Sequence, residues 1–184
     1  IYVFGTTFLS ILIIWILTWV IPSSKFRVFL KCFSNLIMKL LLMPVKVLNQ
    51  KALSTIDSSR RLVFICNHTS YLDAVVLLSA LPNNVSLIGK KEVMQYPLIS
   101  RISKKIGVLT VDRHDFSKNL ADKDVMVDYV LKGGSIALFP EGTFSSAAGL
   151  RPFKSGAQTV AFEAGADIMP LVVRGARNIF RGNN

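Results

Sequence analysis

The sequence predicts an α/β fold, in which a central, mostly buried sheet is flanked by helices and preceded by an N-terminal membrane-associated helical segment. Two observations predict it. From residue 61 onward, apolar runs of strand length alternate with stretches of helical periodicity, which is typical of a sheet with helices on its faces. Residues 1–24 carry no charge, yet the net charge of the chain is +11. This basicity favours an anionic partner such as a membrane surface, a phosphorylated substrate or a nucleic acid.

The first element is a run of 19 uncharged residues, 3–21, which as one helix would be about 30 Å long, close to the thickness of a bilayer core. Trp15 and Trp19 are suited to a membrane interface, and Pro22 ends the run. No cleavage site of the A-x-A kind follows, which disfavours a signal peptide. The pattern therefore predicts a helix that spans the bilayer or enters one leaflet. A buried core helix is the alternative.

The second element, residues 25–51, holds six basic residues and no acidic ones. Its apolar residues recur at helical spacing, which predicts an amphipathic helix, either on an anionic membrane face or in an ordinary core. The basic residues place the following domain on the cytoplasmic side. We therefore divide the chain into membrane-associated helices, 1–50, and an α/β domain, 51–184, which we expect to be incomplete at its C-terminus. The spaced apolar residues are Phe26, Phe29, Phe33, Leu36, Ile37 and Leu40.

The α/β domain contains five apolar runs of strand length with helical stretches between them. It lacks the G-x-G-x-x-G and P-loop patterns, so no motif supports a nucleotide-binding fold. Cys32 and Cys66 are the only cysteines, too few for a disulfide framework or a four-cysteine zinc site. The predicted strands are RLVFIC (61–66), VSLIG (85–89), GVLTV (107–111), SIALFP (135–140) and DIMPLVV (167–173), and the predicted helices cover 73–81, 96–106, 117–134 and 155–165.

The first strand is followed by NHTSYLD, residues 67–73, which places His68 at a strand end and Asp73 at a helix start. Ligand-binding crevices of α/β sheets lie at such ends. A turn of four residues allows Asp73 to fold back onto one imidazole nitrogen and stabilise the imidazolium, so that His68 can act as a general base. On the spacing alone, a structural turn with Asp73 as helix N-cap is the favoured interpretation.

Three further motifs favour the catalytic interpretation over the structural one. GVLTVDR, residues 107–113, ends a strand with Arg113, whose guanidinium can bind two phosphate oxygens. FPEGT, residues 139–143, ends a strand with a tight turn that carries a carboxylate, a glycine and a hydroxyl. MPLVV, residues 169–173, places Pro170 in an apolar strand, which suits an edge strand or the start of a strand.

In this set and order, the four motifs resemble the four blocks of the glycerolipid acyltransferase family, most closely its 1-acyl-glycerol-3-phosphate acyltransferases of the PlsC type. The resemblance covers about residues 60–173. It implies a membrane enzyme of phospholipid biosynthesis that moves an acyl group from acyl-CoA or acyl carrier protein to 1-acyl-sn-glycerol-3-phosphate, with no metal and no resident cofactor. The residues it implicates are His68 and Asp73 for catalysis and Gly107, Arg113, Glu141, Gly142 and Thr143 for acceptor binding, with Pro170 linked to the acyl donor or to structure.

Phe144 departs from the family pattern, in which many members have arginine after the EGT. If that arginine holds phosphate, other cations must replace it here. The departure bears on the acceptor rather than on the chemistry, so glycerol 3-phosphate or another lysophospholipid is the alternative acceptor. The candidate cations are Arg151, Lys154, Lys90 and Lys91.

Two other hypotheses follow from the residues. Cys66 lies two residues before His68, so on a strand both point to one face, and a thiol–imidazole pair could form an acyl-enzyme. A buried strand cysteine is far more often inert packing. The charge also permits a membrane-anchored module that binds nucleic acid. Much of that charge lies beside the apolar segment, however, and no nucleic-acid recognition pattern is present, so we expect no nucleic-acid partner.

Overall fold

Two helices begin the computed structural model of the chain, which describes residues 2–40, 42–49, 60–112, 116–143 and 149–179. They are α1 (Tyr2–Val20) and α2 (Ser23–Leu40). Pro22 lies between them, as the sequence predicts. It has no amide hydrogen with which to continue α1, and its carbonyl accepts from the amide of Phe26 in the first turn of α2.

The second helix ends earlier than predicted. It stops at Leu40, and Leu42 then takes a left-handed φ of 60°. The amide of Met43 donates back to the carbonyl of Met38 at 2.8 Å, which is the closing bond of a Schellman-type helix end. Within residues 25–51, the described part therefore comprises one helix up to Leu40 and a non-helical segment, 42–49.

The α/β domain is a five-stranded parallel sheet with the strand order β3-β2-β4-β1-β5. Every predicted strand and helix of this domain is present, with ends within three residues of those expected. The strands are β1 (Leu62–Cys66), β2 (Val85–Lys90), β3 (Leu109–Val111), β4 (Ser135–Leu138) and β5 (Asp167–Leu171), and the helices are α3 (Leu72–Ala80), a short 3₁₀ helix (Lys91–Gln95), α4 (Pro97–Ile106), α5 (Phe116–Leu131), α6 (Gly156–Ala164) and α7 (Ala176–Ile179).

Side chains of β1 alternate between two apolar layers, as period-two geometry requires. Leu62, Phe64 and Cys66 pack with Leu77 of α3, whereas Val63 packs with residues of α5 and α6. The domain therefore has three layers, with the sheet between two sets of helices. Its central strands are buried on both faces, which explains their continuous apolar runs.

Within the described residues, β5 pairs with β1 alone and so lies at the edge of the sheet. Pro170 stands opposite Ile65 in this pairing. A proline cannot donate to a ladder, and an edge strand tolerates that loss. The prediction that MPLVV suits an edge is confirmed.

The buried face of α2 is the row Phe26, Leu30, Ser34 and Met38, whereas Leu40 of the predicted stripe is 63% exposed. The polar side chains next to this row donate to carbonyls at the C-terminal ends of α3 and α4, in the loop after α3 and at the start of β2. At the two helix ends they satisfy acceptors that helix geometry leaves without an intrahelical partner. Some of the basic side chains that the sequence assigned to a membrane surface are therefore engaged in hydrogen bonds within the protein. The bonds run from Arg27 to the carbonyls of Asn83, Val85 and Ile106, from Lys31 Nζ to that of Leu81 at 2.9 Å, and from Asn35 Nδ2 to that of Ser79 at 3.3 Å.

The C-terminal turn of α1 packs on α4. Arg101 Nε donates to the Thr18 hydroxyl at 2.7 Å, and its guanidinium carbon lies 3.4 Å from the centre of the Trp19 ring. On other faces of α1 large apolar side chains are exposed, Ile16 by 51% and Val20 by 74%. Among the residues searched, which are those that the structure describes, no helix is both long and apolar enough to cross a membrane, so the predicted span is not confirmed.

Candidate active site

The candidate site lies at the carboxyl edge of the sheet, where β1 and β4 end. β1 leads into His68, and β4 leads into Phe139 and the turn that contains Glu141. The two strands are parallel neighbours, with Ile65 opposite Leu138, so the segments that follow them leave the sheet side by side. Two motifs that are 73 residues apart in sequence therefore meet where α/β sheets commonly bind ligands.

His68 and Asp73 are in contact, as the functional interpretation of NHTSYLD requires. His68 Nδ1 lies 3.0 Å from Asp73 Oδ2. The Asp73 side chain is fully buried, and that of His68 is 15% exposed. A carboxylate at Nδ1 makes this nitrogen the protonated one, so Nε2 is the nitrogen that can accept a proton. The pair has the geometry of a general base with an orienting carboxylate.

Asp73 is not the N-cap of α3. A capping side chain accepts from amides that follow it, whereas Asp73 Oδ2 accepts from the preceding amides of Thr69 and Ser70, at 2.6 and 2.8 Å. The residue before the helix is Tyr71, which makes no side-chain cap. The same carboxylate oxygen therefore both closes the turn and orients the imidazole. A structural role in the turn is thus compatible with a catalytic role.

Phe139 covers one face of the His68 imidazole. The ring centroids are 4.0 Å apart, and the planes differ by 12°. The sequence interpretation missed this contact, although Phe139 begins the FPEGT motif. The sequence does show an aromatic residue at the end of a strand. Its contact with His68 depends on the strand order, which the sequence does not show.

Glu141 holds the two motifs together through the backbone. Its side chain is buried, with 5% of the residue exposed. Oε1 accepts from the His68 amide at 2.8 Å, and Oε2 accepts from the Arg151 amide at 2.9 Å. Both carboxylate oxygens therefore bind backbone amides, and the acceptor-binding role that the family resemblance implies for Glu141 stays a prediction.

The turn of FPEGT is covered by a lysine. Gly142 has a φ of 75°, and a Cβ added there would lie 3.0 Å from Lys154 Cε and 3.3 Å from its Nζ. The amide of Lys154 donates to the Pro140 carbonyl at 2.9 Å, which fixes this segment on the turn. Lys154, one of the cations considered as a substitute for the family arginine, therefore lies against the turn, and its role in holding phosphate stays a prediction. Thr143 follows Gly142 in the turn, and Phe144 lies outside the described residues.

Gly107 is not brought to this edge. It ends α4 with a φ of 67°, donates its amide to the Lys104 carbonyl at 3.1 Å, and precedes the amino end of β3. In a parallel sheet that end faces away from His68, so a left-handed helix end explains this glycine better than acceptor binding does. Lys90 and Lys91, at the end of β2, do lie at the carboxyl edge. Arg113 lies outside the described residues.

An apolar cavity of about 250 Å³ opens beside Asn67, between the carboxyl ends of β1 and β5. Asn67 Nδ2 donates to the Val173 carbonyl at 3.0 Å, and the Val173 amide donates to Asn67 Oδ1 at 2.8 Å, so this side chain joins the two strand ends. Pro170 lines the cavity together with Leu150 and Phe153 of the segment that follows the FPEGT turn. The sequence predicted neither the cavity nor the role of Asn67.

Cys66 is a poor nucleophile in this fold. Burial raises the pKa of its thiol to about 12, and the carboxylates of Asp73 and Glu141 act in the same direction. The thiol is directed toward Asn67 Oδ1, at 3.6 Å, rather than toward an activating base. The geometry therefore favours the packing role of this cysteine over the acyl-enzyme hypothesis.

Several known proteins are similar to this chain in sequence or in fold. The acyltransferase family model matches residues 44–174. A 1-acyl-sn-glycerol-3-phosphate acyltransferase of Cocos nucifera is 33% identical over 128 residues, which are 69% of this chain and 42% of that protein. The enzyme of the same name from Escherichia coli strain K12 is 32% identical over 123 residues, 66% of this chain and 50% of its own length. The crystal structure of the 1-acyl-sn-glycerophosphate (LPA) acyltransferase PlsC from Thermotoga maritima has a TM-score of 0.74 at 17% identity and covers 94% of this chain and 69% of that one.

The chain spans half or less of the length of these two sequence relatives. The solved structure shares the fold, a parallel sheet with helices on both faces. The family match runs from before β1 to beyond β5, so it includes both motifs that meet at His68. With 131 of its 184 residues matched in this way, the chain belongs to the acyltransferase family.

Proposed function

We propose that the chain transfers a fatty acyl group from a thioester to the free hydroxyl of 1-acyl-sn-glycerol-3-phosphate, giving phosphatidic acid. The observation that carries the proposal is the contact between His68 and the buried carboxylate of Asp73, 3.0 Å apart at the carboxyl edge of the sheet. An oriented imidazole is suited to taking a proton from an attacking hydroxyl. The names of the relatives, 1-acyl-sn-glycerol-3-phosphate acyltransferases, support the choice of acceptor.

The proposed transfer is a proton relay through one imidazole. His68 Nε2 takes the hydroxyl proton as the hydroxyl oxygen attacks the carbonyl carbon of the thioester. Asp73 stabilises the imidazolium that forms. The tetrahedral intermediate collapses, the C–S bond breaks, and the imidazolium gives its proton to the leaving thiolate. The products are the new ester and a free thiol, and His68 returns to its neutral form.

We assign the acceptor phosphate to cations beside the FPEGT turn and after β3. Lys154 lies over Gly142, and Arg113 comes two residues after the end of β3 in the sequence. Holding the phosphate fixes the acceptor hydroxyl relative to His68, and such positioning lowers a barrier by several kcal/mol. Glu141 contributes indirectly, because it holds the backbone of His68 against the turn.

We assign an acyl chain to the apolar cavity beside Asn67. The cavity adjoins the residue that precedes His68, so a chain bound there would place its carboxyl end near the imidazole. Pro170, Leu171 and Val172 of the fourth motif line it. Each methylene that enters such a cavity contributes about 0.8 kcal/mol of transfer free energy.

We propose that α1 and α2 associate with the bilayer that contains the lipid substrates, with the α/β domain on the cytoplasmic side. Large apolar side chains near the ends of these helices are exposed, Trp19 by 64%, Val20 by 74% and Leu40 by 63%. Exposed apolar surface of this kind is typical of membrane or protein contacts. Co-sedimentation of the purified chain with anionic vesicles, compared with a Trp19→Ser, Val20→Ser variant, tests this part.

The central experiment follows thiol release by the chain in detergent, with acyl-CoA or acyl carrier protein thioester as donor. Release that depends on 1-acyl-sn-glycerol-3-phosphate, persists in His114→Ala and is lost in His68→Ala supports the proposal. His114 is the matched control, since it is the other histidine of the chain. Near-normal activity of His68→Ala contradicts the mechanism. Release only with glycerol 3-phosphate or another lysophospholipid identifies the alternative acceptor.

A further inference from the structure

The stacking of Phe139 on His68 carries an inference about the reaction itself. The phenyl ring lies 4.0 Å from the imidazole and within 12° of parallel to it. We propose that Phe139 is a positioning residue for acyl transfer: its aromatic face stabilises the imidazolium that His68 becomes in the transition state and holds the ring in the plane that Asp73 requires. The kinetic part of this inference rests on the proposed function.

The physical basis is the quadrupole of the phenyl ring. A cation within about 6 Å of an aromatic face is attracted to it, and the attraction grows when water is excluded. The His68 side chain is 15% exposed, and Phe139 packs against the apolar layer between β1 and α3. A neutral imidazole is attracted much less than an imidazolium. The contact is therefore stronger in the transition state than in the ground state, which is the condition for raising the rate.

The stack is held from both sides. On the His68 side, Asp73 fixes Nδ1 and Glu141 fixes the backbone amide. On the Phe139 side, the Phe139 carbonyl accepts from the Gly142 amide at 3.0 Å, which anchors the start of the turn. The two rings are thus placed by independent contacts, so the phenyl group can be replaced without removing the bonds that hold the imidazole.

The charges around His68 stay the same when Phe139 is replaced. Among the described residues, the Asp73 carboxylate contacts the His68 ring, the Glu141 carboxylate accepts from the His68 amide, and Lys154 covers the neighbouring turn at Gly142. Lys90 and Lys91 lie at the same edge of the sheet, and none of these charges is altered by the Phe139 variants. The Cys66 thiol, with its pKa raised by burial to about 12, does not titrate near neutral pH. A change in the protonation of His68 would therefore report the loss of the aromatic face.

The test compares non-aromatic and aromatic replacements in the full chain in detergent micelles. Phe139→Leu and Phe139→Met remove the π face and keep an apolar side chain, Phe139→Tyr retains the face, and Phe64→Leu is the control that removes a phenyl group from the same apolar layer. The imidazoles are titrated by NMR on labelled histidine. The chain has two histidines, and His114→Ala assigns their signals.

We expect the titration midpoint of His68 to move to lower pH by about one unit in the two non-aromatic variants and to stay in place in Phe139→Tyr and Phe64→Leu. In the acyl-transfer assay we expect kcat to fall about 5- to 30-fold for Phe139→Leu with little change in KM, and to recover in Phe139→Tyr. A merely structural role would lower stability without moving the midpoint.

An unchanged midpoint in both Phe139→Leu and Phe139→Met overturns the inference. The titration requires no turnover, so it stands even if the wild-type chain proves inactive. Absence of acyl transfer would contradict the proposed function, whereas an unchanged midpoint would contradict only the role of Phe139.

Discussion

Replacing Asp73 by asparagine is expected to slow acyl transfer about 10³-fold while leaving the imidazole in its native tautomer. At a simple His–Asp pair, an amide can turn its N–H toward the ring and impose the wrong tautomer. Here Oδ2 also accepts from the amides of Thr69 and Ser70, so the asparagine oxygen must occupy that position. The amide nitrogen then takes the place of Oδ1, which has no hydrogen-bond partner among the described residues.

The magnitude follows from the charge that is lost. At 3.0 Å, the distance between His68 Nδ1 and Asp73 Oδ2, two unit charges attract by about 5.5 kcal/mol at an effective dielectric constant of about 20. The asparagine oxygen still accepts a neutral hydrogen bond, which recovers about 0.5–1.5 kcal/mol. The remainder, about 4–5 kcal/mol, corresponds to a loss of kcat of about 10³-fold or slightly more.

The assay is thiol release, with thermal unfolding measured on the same preparations. Asp73→Asn should melt close to the wild type. Asp73→Ala should be less stable by about 2–6 kcal/mol, because it leaves the buried amides of Thr69 and Ser70 without an acceptor. An Asp73→Asn variant within tenfold of wild-type activity would show that the carboxylate charge is not what stabilises the imidazolium of His68.

Three further predictions concern the edges of the site. Because burial raises the pKa of Cys66 to about 12, its reactive thiolate becomes abundant only as the pH approaches that value, so iodoacetamide at pH 8 should modify exposed Cys32 and spare Cys66, as read by mass spectrometry. Equal labelling of both would contradict the burial argument. Gly142→Ala should lower the melting temperature, because a φ of 75° costs alanine about 1–2 kcal/mol. The same variant should raise KM for the acceptor, because the new Cβ displaces Lys154. An unchanged KM would argue against the assignment of the acceptor phosphate to Lys154. Val172→Phe should narrow the apolar cavity and shift preference toward shorter acyl thioesters in a chain-length series, and an unshifted series would place the acyl chain elsewhere.

The parts of the fold that sequence alone predicts are those decided locally. The alternation of strand-length and helical periodicity located the five strands and the four longer helices of the α/β domain, because burial of a sheet on both faces leaves a continuous apolar run. The 3₁₀ helix and α7 were not predicted, because each is too short to show a periodic pattern. The contact between His68 and Asp73 could also be predicted from the sequence, because only four residues separate them and a single turn can bring them together. The spacing alone did not distinguish a catalytic pair from a structural turn, and the order of the four motifs favoured the catalytic pair.

The remaining contacts of the site depend on strand order. Phe139 and Glu141 reach His68 only because β4 is the neighbour of β1, and Asn67 reaches Val173 only because β5 is its other neighbour. No local pattern contains that information. The same limit explains why the sequence misassigned Gly107. A glycine suits a phosphate-binding turn and a helix end equally well, and only the fold shows that this one ends a helix at the opposite edge of the sheet.

The bonds from α2 to backbone carbonyls of the α/β domain have a consequence for how the chain could be shortened. A water-soluble version trimmed at residue 50 would expose the carbonyls that Arg27 and Lys31 cover and would lose Phe26 from its contact with Ile106. The second helix is therefore packed into the fold of the α/β domain, and α1 is held on α4 by Arg101. If α1 rests in lipid as proposed, rigid packing, and not the length of a linker, sets the height of His68 above the bilayer, so each substrate would have to meet the imidazole at one fixed depth.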